Sequence, residues 1–163
     1  MAYRFDKTHF VVPQAIEVNS ATQLLTLGTR IRATDPTYGE GEFIYLKGVA
    51  STALGDLVTY NPDDWSTTRL AANAIGPVAV AMSACVANEF GWYQVFGKAV
   101  VKSGTVADDG NVYATATAGT VDDAVVAGDR VKGAKFASAN GTPSAGFAEC
   151  EIAYPFMDDA LAA

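Results

Sequence analysis

The chain has 163 residues, half of them apolar, and a net charge of −7. A chain of this length is expected to form one domain that buries enough surface to fold without disulfides. The acidic excess argues against a nucleic-acid partner, and no apolar run reaches the roughly 20 residues that a membrane span needs.

The first 38 residues differ from the rest. Residues 1–32 carry a net charge of +2, residues 33–163 carry −9, and the leading segment has few turn formers. We predict that residues 1–32 form an extended arm over an acidic neighbouring subunit. Alternatively, residues 1–38 form the leading strands of their own domain. The residues predicted to make the contacts of the arm are Arg4, Phe5, Lys7, Phe10, Val11 and Val12.

Residues 39–155 are typical of short strands separated by turns. Residues 91–102 alternate with a period of two, which predicts a half-buried strand or a pair of strands bent at Gly97. Residues 78–86 are uncharged on both faces, so we expect burial on both sides, within the fold or at a subunit contact. Turn sequences separate these segments, as at 61–64 and 140–141. The pattern predicts an all-β fold, an antiparallel β-sandwich or a small barrel.

Three segments of this β domain recur at a spacing of about 55 residues. The aligned pairs are 54–60 with 109–115, 76–80 with 133–137, and 91–95 with 146–150. We interpret this as a weak internal duplication. A fold of repeated short strands with few catalytic side chains indicates a protein that acts through the shape of its surface.

The carboxy-terminal tail, residues 156–163, contains the only helix candidate, which is too short to be stable alone. The preceding strand places Cys150 on an apolar face with Ala148, Ile152 and Tyr154, so we expect a small buried thiol. The apolar run 152–157 leaves more uncharged surface than a lone domain exposes, so we expect the chain to act with partners. Its predicted interface anchors are Tyr154 and Phe156, while Trp92 is expected in the core or at an interface.

Residues suited to catalysis or metal binding are sparse. His9 is the only histidine, and Cys85 and Cys150 match no metal-ligand spacing. With no signal peptide, both cysteines are expected to stay reduced in a cytoplasm. The Asp-Asp pairs are better explained as turn formers, although residues 108–111 partly match a calcium loop. We therefore expect no enzymatic activity and no cofactor, and leave a surface calcium ion at residues 108–111 open.

Three small-residue segments, 39–50, 90–101 and 112–121, together resemble capsid cement, or decoration, proteins of tailed bacteriophages, over roughly residues 39–155. The resemblance implies a non-enzymatic virion protein, made in the host cytoplasm and bound to the outer capsid surface. Its implied partner is the major capsid protein, whose capsomer contacts it stabilises. Other copies of the chain are expected partners too, as dimers or trimers. The family offers no catalytic residues to transfer.

A second interpretation is a phage fibre or surface β module that binds a carbohydrate or the host surface. Such a module needs exposed aromatic side chains with polar neighbours, for which Trp65 and Trp92 are the candidates. Trp92 lies in a strongly apolar strand, which favours the core or an interface for it. An enzyme or enzyme subunit is the least favoured interpretation.

Overall fold

The computed structural model describes residues 12–158 and the backbone of residues 4–5. Within these ranges the chain forms eleven strands and no helix, and every strand pairing is antiparallel. The all-β antiparallel prediction is confirmed, and the sheet is not closed into a barrel. The strands are β1 (Arg4–Phe5), β2 (Arg30–Asp35), β3 (Gly39–Lys47), β4 (Leu57–Tyr60), β5 (Thr67–Arg69), β6 (Ile75–Ala81), β7 (Phe90–Lys102), β8 (Asn111–Ala114), β9 (Val121–Asp122), β10 (Arg130–Phe136) and β11 (Phe147–Asp158).

One continuous sheet runs in the order β1-β2-β3-β7-β6-β11-β10-β8-β9, with β4 and β5 branching from β6. The long strand β7 organises it, because its first half pairs with β3 and its second half pairs with β11. The change of partner occurs at Phe96 and Gly97, where the sequence left open one half-buried strand or two strands bent at Gly97. β7 is one continuous strand. Gly97 has a φ of 98°, a value that favours glycine.

The segments aligned as a duplication have matching strand pairings. β4 pairs with β5 and β6, and β6 pairs with β7; likewise β8 pairs with β9 and β10, and β10 pairs with β11. The two halves therefore share a pairing pattern as well as a sequence pattern.

The core follows the alternation predicted from the sequence. Of residues 78–86, predicted to be buried on both faces, residues 78–83 and Cys85 are buried, whereas Ala84 and Val86, which follow the end of β6, are exposed. The predicted apolar face of β7 is buried on both sides of Gly97. Trp92 is fully buried, and its Nε1–H donates to the Gln14 carbonyl oxygen at 3.1 Å. The Tyr45 hydroxyl donates to Gln14 Oε1 at 2.7 Å, so the buried polar groups of Trp92 and Tyr45 both have a partner.

Residues 12–38 belong to this domain, which is the second of the two alternatives for the leading segment. Ile16 is buried, Val12 packs against the same core cluster, and β2 pairs with β3 along its whole length. The backbone of Arg4 and Phe5 pairs with β2 of the same chain. The other predicted arm contacts, Lys7, Phe10 and Val11, lie outside the described residues.

The carboxy-terminal boundary lies later than predicted. β11 extends to Asp158, so the first residues of the predicted tail continue the sheet, and Met157 and Asp158 of the helix candidate lie in a strand. The rest of the tail, residues 159–163, lies outside the part of the chain that the structure describes.

Candidate protein-docking surface

Three residues with positive φ lie close together where β7, β10 and β11 meet. Gly97, Gly133 and Tyr154 each have positive φ, at 98°, 73° and 49°. The β10–β11 register shifts between Lys132 and Ala134, on either side of Gly133. Bulges of this kind bend strands and redirect side chains, and they are common beside functional sites.

Both glycines are required by close backbone approaches. A Cβ on Gly97 would lie 2.3 Å from the Glu40 carbonyl oxygen, and a Cβ on Gly133 would lie 2.7 Å from the Ala153 carbonyl oxygen. No side chain fits at such distances without moving backbone. The close approach of the backbone therefore requires glycine at these two positions.

Tyr154 does not lie on the apolar face that strand alternation predicts for it. Ala148, Cys150 and Ile152 are buried as expected, but the left-handed conformation of Tyr154 turns its side chain outward and leaves it 51% exposed. Beyond it, Pro155 is buried and Phe156 is exposed. The bulge thus reverses the alternation and moves an aromatic ring from the core to the surface.

Contacts from β2, β3 and β7 hold the exposed ring of Tyr154. Its hydroxyl donates to Glu42 Oε2 at 3.0 Å, and its ring lies 5.7 Å from both the Arg30 guanidinium carbon and the Phe96 ring centroid. Arg30 in turn binds Glu42 Oε1 at 2.9 Å, and Arg32 lies 3.5 Å from Glu42 Oε2. We call Arg30, Arg32 and Glu42 the clasp.

The charge state of Glu42 explains why the clasp binds the tyrosine hydroxyl. Burial by itself would raise the pKa of Glu42, but hydrogen bonds from Arg30 and Tyr154, with the charges of Arg30 and Arg32, hold that pKa below its ordinary value. Glu42 is therefore a carboxylate at neutral pH. A carboxylate accepts and does not donate hydrogen bonds, so Tyr154 donates to it.

Three aromatic side chains of this region are open to solvent. Phe96 is 38% exposed, Tyr154 51% and Phe156 41%. We call these three residues the aromatic surface. Ile75, which is 68% exposed, starts β6 beside the end of β11, where it pairs with Asp158. Exposed aromatic residues next to arginine are the composition typical of protein-protein interface cores.

A groove of about 570 Å³ adjoins the aromatic surface. Phe96 belongs to both features, and the positive-φ glycines of β7 and β10 line the groove. Three basic side chains lie around it, together with Glu151. The full lining consists of Phe96, Gly97, Lys98, Asn111, Arg130, Gly133, Ala134, Lys135, Glu151, Ile152 and Ala153.

Some of the predicted interface residues are exposed on the surface and others are buried in the core. Tyr154 and Phe156 lie together on the surface, whereas Trp92 is packed edge-on against Tyr45 inside the core and is not available to a partner. Trp65 is half-buried, packs against Gly28 and stacks on Tyr60 at 6.5 Å. Both tryptophans thus contribute to internal packing.

Sequence reasoning missed Phe96 and the clasp. One local signal was present, since Phe96 lies between the polar residues Gln94 and Lys98 on its strand face. A large apolar residue on a polar face is a candidate contact residue. No local signal marks Arg30 and Glu42, because they reach Tyr154 only through the tertiary fold.

Asp109, which the sequence marks as part of a possible calcium loop, contacts another residue of the same chain. Asp109, in the partial calcium pattern, lies in a turn with a φ of 63° and binds Lys135 at 2.8 Å. No three metal-ligating side chains converge within residues 12–158, and His9 lies outside this range.

Cys85 and Cys150 are free and buried as predicted, and burial raises their pKa values to about 11 and about 12. No helix long and apolar enough for a membrane span occurs in the part that is described.

A comparison with models of protein families finds no match to the chain. A search among characterised proteins finds no significantly similar sequence.

Proposed function

We propose that the chain is a non-enzymatic structural protein of a phage virion, and that its aromatic surface docks on the outer face of the capsid. Two observations support this role: the sequence resemblance of residues 39–155, and the surface formed by Phe96, Tyr154 and Phe156. The partner at this surface is the major capsid protein, and binding across neighbouring capsomers stabilises their contacts.

The conformation of Tyr154 is the observation that carries the proposal. A left-handed backbone costs a non-glycine residue about 1–2 kcal/mol, and such strain is concentrated at functional sites. Burial does not offset this cost in the isolated chain, because about half of Tyr154 remains exposed. Instead, the clasp and Phe96 fix the ring in one outward orientation. A ring held in place before binding loses little conformational entropy when a partner covers it.

The proposed docking suits a protein that acts in many copies. Each contact supplies only modest energy, but repeated contacts over a lattice reinforce the whole shell. Further contacts between copies of the chain, as dimers or trimers, would add to this reinforcement. Such a role requires an exposed, preformed surface and needs no reaction centre.

The positions of the two tryptophans argue against the alternative function, a fibre or surface module that binds carbohydrate. Trp92 is buried and Trp65 is packed against Tyr60 and Gly28, so neither offers the open ring face that sugar stacking uses. The two tryptophan candidates therefore give no support to sugar binding.

The test is co-sedimentation of the purified chain with capsid shells of the phage that encodes it. We expect the wild type to bind and the Tyr154→Ala/Phe156→Ala variant to lose on the order of 2 kcal/mol or more per buried aromatic. The matched control is Val125→Ala/Val126→Ala, which removes two exposed apolar side chains from the loop between β9 and β10. Unchanged binding by the aromatic variant would overturn the proposed site.

A further inference from the structure

The loop between β10 and β11 carries the only Asn-Gly pair of the sequence. Residues 139–146 of this loop are all exposed to solvent, and Asn140 and Gly141 lie in a turn, as the sequence predicted. Every other asparagine precedes a residue that has a Cβ. These are Asn19, Asn61, Asn73, Asn88 and Asn111.

An Asn-Gly pair brings a nucleophile and an electrophile together within the same chain. The backbone nitrogen after an asparagine is one bond too far to react with its own carbonyl, but it closes a five-membered ring on the asparagine side-chain amide. Glycine leaves the approach of that nitrogen unhindered, because it has no Cβ. The surroundings of Gly141 are open as well, since a Cβ placed on it would have no atom within 4 Å.

Two hydrogen bonds control the reactivity of the pair. Val106 N–H donates to Asn140 Oδ1 at 3.5 Å, a long bond that supplies a donor to the oxygen on which negative charge develops during attack. Gly141 N–H donates to the Phe147 carbonyl oxygen at 2.8 Å, and this bond must open before the nitrogen reacts. Exposed loops open at low free energy, so the reaction starts from a locally opened loop.

The other asparagines are less suited to the same reaction. Asn61 precedes a proline, which has no N–H to lose. Asn19 Nδ2 donates to Glu89 Oε2 at 2.6 Å, and Asn111 Oδ1 accepts from Arg130 at 3.2 Å, so both side chains are held by other residues. The reaction is therefore expected to be selective for one position.

We infer that Asn140 is a site of spontaneous deamidation and isoaspartate formation. Gly141 N loses its proton to hydroxide and bonds to Asn140 Cγ. The Cγ–Nδ2 bond breaks, and ammonia leaves with a proton taken from water, which gives a succinimide. Water then opens the ring at either carbonyl and gives aspartate or isoaspartate. The net change is loss of ammonia and gain of water, so no oxidant or cofactor is needed.

Both products change the loop. Each adds a carboxylate to a chain whose net charge is already −7. Isoaspartate also adds one carbon to the main-chain path, which displaces Gly141 N–H from the Phe147 carbonyl oxygen at the start of β11. The inference goes beyond the proposed capsid role and does not rest on it, because the reaction requires only water.

The test is incubation of the purified full chain at mildly alkaline pH, followed by peptide mapping and labelling with an isoaspartate-specific methyltransferase. We expect a mass increase of about 1 Da and a methyl label in the peptide that contains Asn140, with the other asparagines unchanged. Conversion should be faster in urea, where the bond to Phe147 is absent. Conversion spread evenly over the asparagines, or no product at position 140 in the folded chain while the chain in urea reacts, would overturn the inference.

Two variants test the ring closure itself. Gly141→Ala should slow conversion by more than about tenfold, because the added Cβ hinders the attacking nitrogen. The left-handed φ of 98° makes alanine strained here, which loosens the loop, so any slowing must come from hindrance of the attack. Asn140→Gln keeps the amide but requires a larger ring, and should give no product at this position. An unchanged rate in Gly141→Ala would contradict attack by the nitrogen of residue 141.

Discussion

β7 carries a buried aromatic residue in its first half and an exposed one beside Gly97. In its first half both faces of the strand are buried, and Trp92 lies fully buried with its N–H bonded to Gln14. Near the bend, Phe96 is exposed and touches Tyr154, which is itself held outward by a left-handed backbone. Regular pairing thus places aromatic residues in the core, whereas the bulges place them where a partner can reach them.

Truncation of an aromatic residue in each region should separate the two regions by stability. Trp92→Ala should lower the free energy of unfolding by about 3–5 kcal/mol, because it leaves a cavity and an unpaired carbonyl. Tyr154→Gly should change it by less than about 1 kcal/mol, since glycine relieves the left-handed strain while the ring contacts are lost. Urea unfolding monitored by circular dichroism gives both values.

The milder Trp92→Phe variant covers the case in which the alanine variant does not accumulate as folded protein. It should still be less stable than Tyr154→Gly, because it loses the N–H bond to Gln14 and part of the packed volume. Similar losses at the two positions would show that Tyr154 is a core residue and would remove the contrast between the two ends of β7.

A smaller loss of stability should reveal the effect of the close backbone approach at Gly97. Gly97→Ala should cost about 3 kcal/mol, from left-handed strain plus the approach to the Glu40 carbonyl. Gly141 is a matched control, because it has the same φ of 98° and a Cβ placed on it would have no atom within 4 Å. Gly141→Ala should therefore cost about 1 kcal/mol, from strain alone. If thermal denaturation shows equal losses, the close approach at Gly97 contributes nothing.

The weakest of these effects concerns the clasp and its dependence on pH. The pKa of Glu42 is depressed in the folded chain, so its charge stabilises the fold above the ordinary value of 4.5 and this contribution is lost as pH falls through the depressed pKa. Glu42→Gln should be less stable than the wild type at pH 7. The difference should shrink at pH values below 4.5, as measured by urea unfolding across pH. A difference that is constant with pH would contradict a charged clasp.

Sequence reasoning was informative where structure depends on local pattern. Period-two alternation predicted the buried face of β7 and most of the buried segment 78–86, because each strand face is evident from neighbouring residues. Turn chemistry and small-residue spacing similarly predicted an all-β antiparallel fold. These features need no knowledge of distant contacts.

The features that local pattern did not predict depend on contacts between distant residues. Tyr154 and Glu42 are 112 positions apart, and nothing near Tyr154 signals a left-handed backbone, which tyrosine rarely adopts. Likewise, the side chain of Gln14 donates to the Phe90 carbonyl 76 positions away, which ties the leading segment to its own domain. The scarcity of turns in that segment therefore indicated irregular packing as much as it indicated an arm.

Electron cryo-microscopy of capsid shells incubated with the purified chain can decide whether the aromatic surface docks on the capsid. We expect density for the chain on the outer face of the shell, oriented so that Phe96, Tyr154 and Phe156 contact the major capsid protein. Shells without added density, or a bound chain whose aromatic surface faces solvent, would contradict the proposed docking.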